Sequence, residues 1–187
     1  MNRDRVRKTD GFTLAETLAA VLIMSFAGLM IVTGIVAFTR SWWKITDKAN
    51  AQVYVSTLAI RMQDELEFAS EVGVKKDGSV VWFADDQTGY TSMFVPGTGT
   101  SSLFGIRRSD DSAELASASV EAFVPEAMGG GRMYVTYDSL TYNQNTHVFE
   151  IKNLKAVEAV DSENKVLYQV DSIKIKNLND AVAVAEK

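Results

Sequence analysis

Glu16 is a carboxylate at the start of a long apolar stretch. Residues 17–39 carry no formal charge, and Arg40 follows them directly. As a helix, this run would measure roughly 35 Å, against a hydrocarbon core of roughly 30 Å, so it is long enough to cross a membrane. A carboxylate inside a bilayer costs roughly 2.5 to 3.5 kcal/mol and usually has a partner and a function. The chemistry we expect of Glu16 is therefore ion pairing with a cation.

The remaining candidates for chemistry do not indicate an enzyme. His147 is the only histidine, and alternation along a strand would place it on one face with Phe149 and Ile151, so we expect a structural role. The GGGR sequence at residues 129–132 lacks the Gly-Lys-Ser/Thr spacing and the following helix of a phosphate-binding loop. We predict no catalytic residue.

Metal and cofactor chemistry rests on two pairs of acidic residues. Asp85 with Asp86, and Asp110 with Asp111, could supply oxygen ligands for Ca²⁺, although neither pair has an EF-hand spacing. The chain has no cysteine, which excludes disulfides, thiolate metal sites and a cysteine nucleophile. We therefore predict no metal site and no cofactor, with calcium binding in a loop as the alternative.

The charge is unevenly distributed along the 187 residues. The net charge is -5, yet residues 1–11 carry four basic and two acidic side chains. The chain without these residues and Glu16 keeps 15 basic and 21 acidic residues. An acidic body without a basic stripe gives no electrostatic footprint for nucleic acid, so we predict no direct nucleic-acid binding.

Three interpretations of the apolar run are open from its composition. It could be an ordinary single-pass anchor that tethers an extracytoplasmic binding domain. It could be a secretory signal peptide cut before Gly28, although Asp10 and Glu16 are atypical there and apolarity continues past Ala27. The third interpretation depends on the string KTDGFTLAE at residues 8–16.

This string resembles the processing motif of type IV prepilins and pseudopilins, in which a basic leader and a glycine precede an apolar helix with a glutamate near its start. The resemblance covers the leader and the first helix. It implies that prepilin peptidase cuts between Gly11 and Phe12 and methylates the new amino terminus of Phe12. It also implies that Glu16 guides assembly by pairing with the amino terminus of the preceding subunit. The site residues predicted by resemblance are therefore Gly11, Phe12 and Glu16.

The same resemblance implies a location and a set of partners. The precursor would be a single-pass membrane protein with its C-terminal body outside, embedded in lipid before assembly. Its partners would be prepilin peptidase, an inner-membrane assembly platform and other pilin or pseudopilin subunits. The mature chain would be a structural subunit of a type IV pilus or of a secretion or competence pseudopilus, with a weak likeness to minor pilins and minor pseudopilins.

Helical periodicity continues beyond the apolar run. An apolar stripe at Val55, Ala59, Met62, Leu66 and Ala69 predicts an amphipathic half. We predict a leader at residues 1–11, one helix over 12–72 whose transmembrane half is 12–39, and a cap at Gly73. Apolar residues away from the stripe could face neighbouring subunits; these are Val53, Ile60 and Phe68.

The body, residues 73–187, shows a period of two that is typical of strands. Alternating apolar and polar positions favour an antiparallel sheet covered on one face, and the apolar stripe of the helix would cover it. The predicted fold is therefore α+β, and the resemblance to type IV prepilins implies that it is pilin-like. The predicted strands are residues 79–84, 90–95, 103–107, 133–142, 147–152 and 166–176, and residues 180–187 are predicted as a frayed helix or a disordered tail.

Overall fold

The computed structural model describes residues 13–86, 88–99, 104–123, 132–159 and 165–186. Over these ranges the chain is an α+β protein with one long helix, α1, at Leu14–Glu67. The strands are β1 (Glu71–Val74), β2 (Val80–Asp85), β3 (Tyr90–Val95), β4 (Gly105–Ser109), β5 (Glu121–Ala122), β6 (Met133–Thr136), β7 (Ser139–Asn143), β8 (Val148–Glu158), β9 (Val166–Lys176) and β10 (Val182–Ala185). The chain divides into two compact units, Met1–Ile45 and Thr46–Lys187.

Two sheets form the second unit. The first has the order β10-β1-β2-β3-β4-β5, in which β1 and β10 are parallel and all other neighbours are antiparallel. In the second sheet β9 follows one edge of β8, so β6 and β7 share the other edge, and all three pairings are antiparallel. An isolated bridge between Ser79 and Thr141 links the two sheets. The prediction of an antiparallel sheet is therefore confirmed only in part, because the strands form two sheets and the β1–β10 pair is parallel.

The core of the second unit lies between the apolar stripe of α1 and the sheets. The predicted stripe is confirmed, because Val55, Met62, Leu66 and Ala69 are completely buried and Ala59 is partly buried against the core. The stripe is also wider than predicted. The further buried residues of α1 are Ala51, Tyr54 and Leu58.

Aromatic side chains of the strands fill the other side of this core. Phe94 contacts Phe83, Phe104 and Phe123 with ring centroids 4.9, 6.0 and 5.4 Å apart. Tilted and edge-on contacts of this kind stabilise a core beyond the area they bury. The apolar alternation of the strands thus produces one continuous core with the helix.

The helix ends at Glu67, so its predicted end at residue 72 is wrong. The residues that end it come from the C-terminal segment: the side-chain amide of Asn177 donates hydrogen bonds to the carbonyls of Leu66 (3.0 Å) and Ala69 (2.8 Å). The backbone N–H of Leu178 donates to the carbonyl of Glu67 at 2.8 Å. These bonds satisfy carbonyl groups that a helix end leaves without partners.

Three further predictions about the body need correction. Gly73 does not cap the helix in a left-handed conformation; it lies in β1 without a positive φ. Residues 180–187 were predicted as a frayed helix or a disordered tail, but they contain strand β10, which pairs with β1. The predicted strand at residues 133–142 is divided into β6 and β7, and Asp138 at the division bonds to the side chains of Asn153 and Lys155 at 2.7 Å each.

Candidate functional site

Glu16 lies in the first turn of α1 and bonds to Thr13. Its Oε2 atom accepts hydrogen bonds from the backbone N–H of Thr13 at 2.9 Å and from the Thr13 hydroxyl at 3.0 Å. The backbone N–H of Glu16 donates in turn to the Thr13 hydroxyl oxygen at 3.3 Å. This reciprocal arrangement is a capping box, in which Thr13 is the N-cap and Glu16 the third residue of the helix.

The capping box was missed in the sequence, although its signal is present. The spacing T-x-x-E before an apolar run is the signature of this motif, and the string TLAE at residues 13–16 contains it. The motif gives Glu16 a local structural role in addition to any intermolecular one. Within the described residues both side-chain bonds end on Oε2 and none ends on Oε1.

The other two predicted site residues, Gly11 and Phe12, lie outside the described residues. The cleavage and methylation predicted there therefore remain predictions from the motif. Thr13 is the first described residue and would be the second residue of the processed chain. Its bonds hold the Glu16 carboxylate beside it.

The first unit presents an apolar helical surface. All residues from 13 to 45 are exposed, and α1 is long and apolar enough to cross a membrane. Hydroxyl groups in the run donate to carbonyls one turn earlier: Ser25 to Val21 at 2.8 Å and Thr39 to Ile35 at 2.8 Å. Such bonds satisfy hydroxyl donors in a surrounding that offers no water. The helix is thus suited to lipid or to contact with other apolar helices.

One aspartate of each acidic pair accepts a hydrogen bond within the protein. Asp86 accepts a hydrogen bond from the hydroxyl of Ser70 at 2.8 Å, and Asp111 accepts one from the backbone N–H of Ala113 at 2.9 Å. In the part of the chain that the structure describes, no three His, Cys, Asp or Glu side chains are grouped so that they could hold a metal ion. Neither pair gains a geometric argument for calcium.

His147 lies in the turn before β8, where it adopts a φ of 51°, so its predicted place on a strand face is wrong. Its Nδ1 atom is 3.2 Å from the hydroxyl of Tyr142 and 3.8 Å from a carboxylate oxygen of Asp180. The Tyr142 hydroxyl donates to the carbonyl of Ala181 at 2.8 Å. These contacts connect the β7–β8 turn to the segment before β10, which is consistent with the structural role expected for this histidine.

No family model, curated protein or solved structure matches this chain. The functional proposal therefore rests on the residues of this chain and their geometry.

Proposed function

We propose that this chain is a structural subunit of a type IV pilus or of a secretion or competence pseudopilus. The precursor would insert through residues 12–39 and be cut after Gly11 by prepilin peptidase. Phe12 would then be N-methylated, and the subunit would enter the filament through its N-terminal helix. The fold would in that case be a pilin-like version of the observed α+β architecture.

The position of Glu16 supports this proposal most directly. Its carboxylate lies in the first turn of a helix that is exposed and uncharged over residues 17–39, and one of its oxygens has no bond within the described residues. A neighbouring subunit's amino terminus, cationic after methylation, would supply the missing partner. An unpaired charge is costly in an apolar surrounding. This ion pair would therefore favour the one axial offset between neighbouring subunits that brings the Glu16 carboxylate next to the amino terminus.

A second observation supports contact between subunits along α1. Val53, Ile60 and Phe68 lie away from the buried stripe and are 55%, 61% and 43% exposed. In a filament these side chains would pack against adjacent subunits, so Ile60→Asp should reduce assembly without disturbing the core.

The capping box favours a second candidate function. Because Thr13 already gives Glu16 two hydrogen bonds, the carboxylate also fits an ordinary membrane anchor, which would tether the second unit as an extracytoplasmic binding domain. Such a tether would need neither processing nor neighbours.

Filament fractionation separates the two candidates. The proposal predicts that the overproduced chain enters a sheared, sedimentable filament fraction of its host and that Ile60→Asp reduces this fraction. The exposed polar substitution Gln52→Asn serves as the matched control. If the chain stays in the membrane fraction alone, with its leader retained, the tether is correct and the filament proposal is wrong.

A further inference from the structure

A groove with aromatic walls lies beside the C-terminal end of α1. It has a volume of about 520 Å³ and is bounded by the last turn of the helix, the β2–β3 turn and β4. Phe68 and Tyr90 line it and are 43% and 46% exposed. Large aromatic side chains exposed together on a surface often mark a contact site.

The rim of this groove is negatively charged. Among its described lining residues, Asp64, Glu65 and Asp85 are acidic and Arg108 is the one cation. Arg108 is already shared between two carboxylates, since its Nη2 lies 2.6 Å from Glu65 and its Nη1 lies 3.3 Å from Glu121. The surplus negative charge and the exposed aromatic faces both favour a cationic occupant.

The pKa of Glu65 responds to the same negative charges. Burial raises the pKa of this carboxyl group, and the charge of Arg108 and its hydrogen bond oppose the shift. The carboxylates of Asp85 and Asp64 raise the pKa further, because a second negative charge nearby disfavours ionisation. An additional cation in the groove would relieve this repulsion.

The chain carries a complementary cationic segment on α1. Arg40, Lys44 and Lys48 recur every four residues along the sequence of α1, and all three are exposed. Within the described residues no carboxylate lies within 4.0 Å of these three cations. We call this segment the basic ridge. In a bilayer its charges would reach lipid phosphates, and they would lose those counter-charges when the subunit leaves the membrane.

We propose that the groove formed by Phe68, Tyr90, Asp64 and Asp85 receives the basic ridge of a second copy of this chain. The inference rests on the proposed filament function, because extraction from lipid is what leaves the ridge without counter-charges. The two patches differ, so the contact is heterologous and can repeat from copy to copy as an open chain. Lysine or arginine side chains would lie against the aromatic faces with their charges toward the acidic rim.

Cross-linking of the full chain tests the contact directly, because the natural sequence contains no cysteine. One copy carries Lys44→Cys, and a second, differently tagged copy carries Thr88→Cys at the rim of the groove. We expect a disulfide-linked heterodimer from this pair on mild oxidation. The matched control pairs Lys44→Cys with Lys76→Cys, an exposed residue in the turn after β1, and should give at least tenfold less product.

Charge reversal provides a second readout. Arg40→Glu with Lys48→Glu should lower cross-linking and filament incorporation about tenfold, and Asp64→Lys with Asp85→Lys in the partner copy should restore both. The inference is wrong, and the filament proposal stands, if processed filaments form normally with the reversed ridge and without the 44–88 cross-link. Adducts of Thr88→Cys with other proteins alone would also overturn it. An unprocessed chain that forms no filament would refute the filament proposal itself.

Discussion

The charge of Glu16 and its capping role can be separated by two substitutions in the first turn of α1. Glutamine is accepted at the third position of a capping box, so Glu16→Gln keeps the local bond to Thr13 and removes only the charge. Thr13→Ala does the converse, because it removes the hydroxyl that bonds to Glu16 and leaves the carboxylate charged. If Glu16 forms an intermolecular ion pair, Glu16→Gln should reduce filament assembly much more than Thr13→Ala. If Glu16 acts only through the cap, it should not.

The expected magnitudes differ clearly. An ion pair at about 4 Å is worth about 4 kcal/mol in surroundings of intermediate polarity. Glutamine would retain a hydrogen bond worth about 1 kcal/mol, so Glu16→Gln should cost about 3 kcal/mol in subunit association, or about a hundredfold. Loss of the cap in Thr13→Ala costs about 1 kcal/mol of helix stability, which lowers assembly by less than about tenfold.

The assay is the ratio of filament-bound to membrane-bound mature chain, measured by immunoblot after shearing and sedimentation. Normalising to the mature chain removes any effect of Thr13→Ala on processing next to the cleavage site. Equal behaviour of the two variants would show that Glu16 acts through the cap alone. Wild-type incorporation of Glu16→Gln would refute the ion-pair account.

Three predictions concern the second unit and use thermal unfolding of the detergent-solubilised full chain. Gly73→Ala should destabilise it by about 1 to 3 kcal/mol, because the new Cβ would overlap the indole ring of Trp82 at Nε1. Shortening Trp82 in the same chain should reduce this loss, and purely additive effects of the two substitutions would contradict the clash. Asn177→Ala should cost about 2 to 4 kcal/mol of stability, because it leaves buried carbonyls at the end of α1 unsatisfied. The control Asn179→Ala removes one exposed bond to Phe68 and should cost about 1 kcal/mol or less. Equal losses in the two variants would refute the capping role of Asn177. Burial raises the pKa of Tyr137 to about 12 from its ordinary 10.0, so its contribution to stability is complete below pH 10 and is lost as the pH rises toward 12. Tyr137→Phe should therefore reduce the loss of stability at alkaline pH. An unchanged dependence of stability on pH in this variant would contradict the burial argument.

The parts of the fold that were predictable depend on local patterns. The stripe at Val55, Met62 and Leu66 has the helical period, and strands such as β3 and β9 have the strand period. The polar residues at 143–146 are typical of a turn, and the turn between β7 and β8 lies there. Each of these signals lies within a few residues along the chain, so the sequence alone contains it.

Two of the errors come from contacts between residues far apart in sequence. The end of α1 is set by Asn177, whose side chain bonds to Leu66 from 111 residues away. Strand β10 pairs with β1 across a similar separation, and its sequence VAVA has no alternation of apolar and polar residues to mark a strand. Neither feature has a local signal, because both exist only after the chain has folded.

The candidate site was predictable in its residue types and only partly in its geometry. The position of Glu16 before an apolar run could be read directly, whereas its bonds to Thr13 required the structure to show which oxygen is occupied. The groove beside Phe68 could not be anticipated, because its walls come from α1, the β2–β3 turn and β4.

Intact-mass and fragment-ion measurement of the mature chain from its native host tests the central claim most directly. The filament-subunit account predicts a chain that begins at Phe12 and carries one methyl group on its amino terminus. A chain that retains residues 1–11, or one that begins at Gly28, would contradict it.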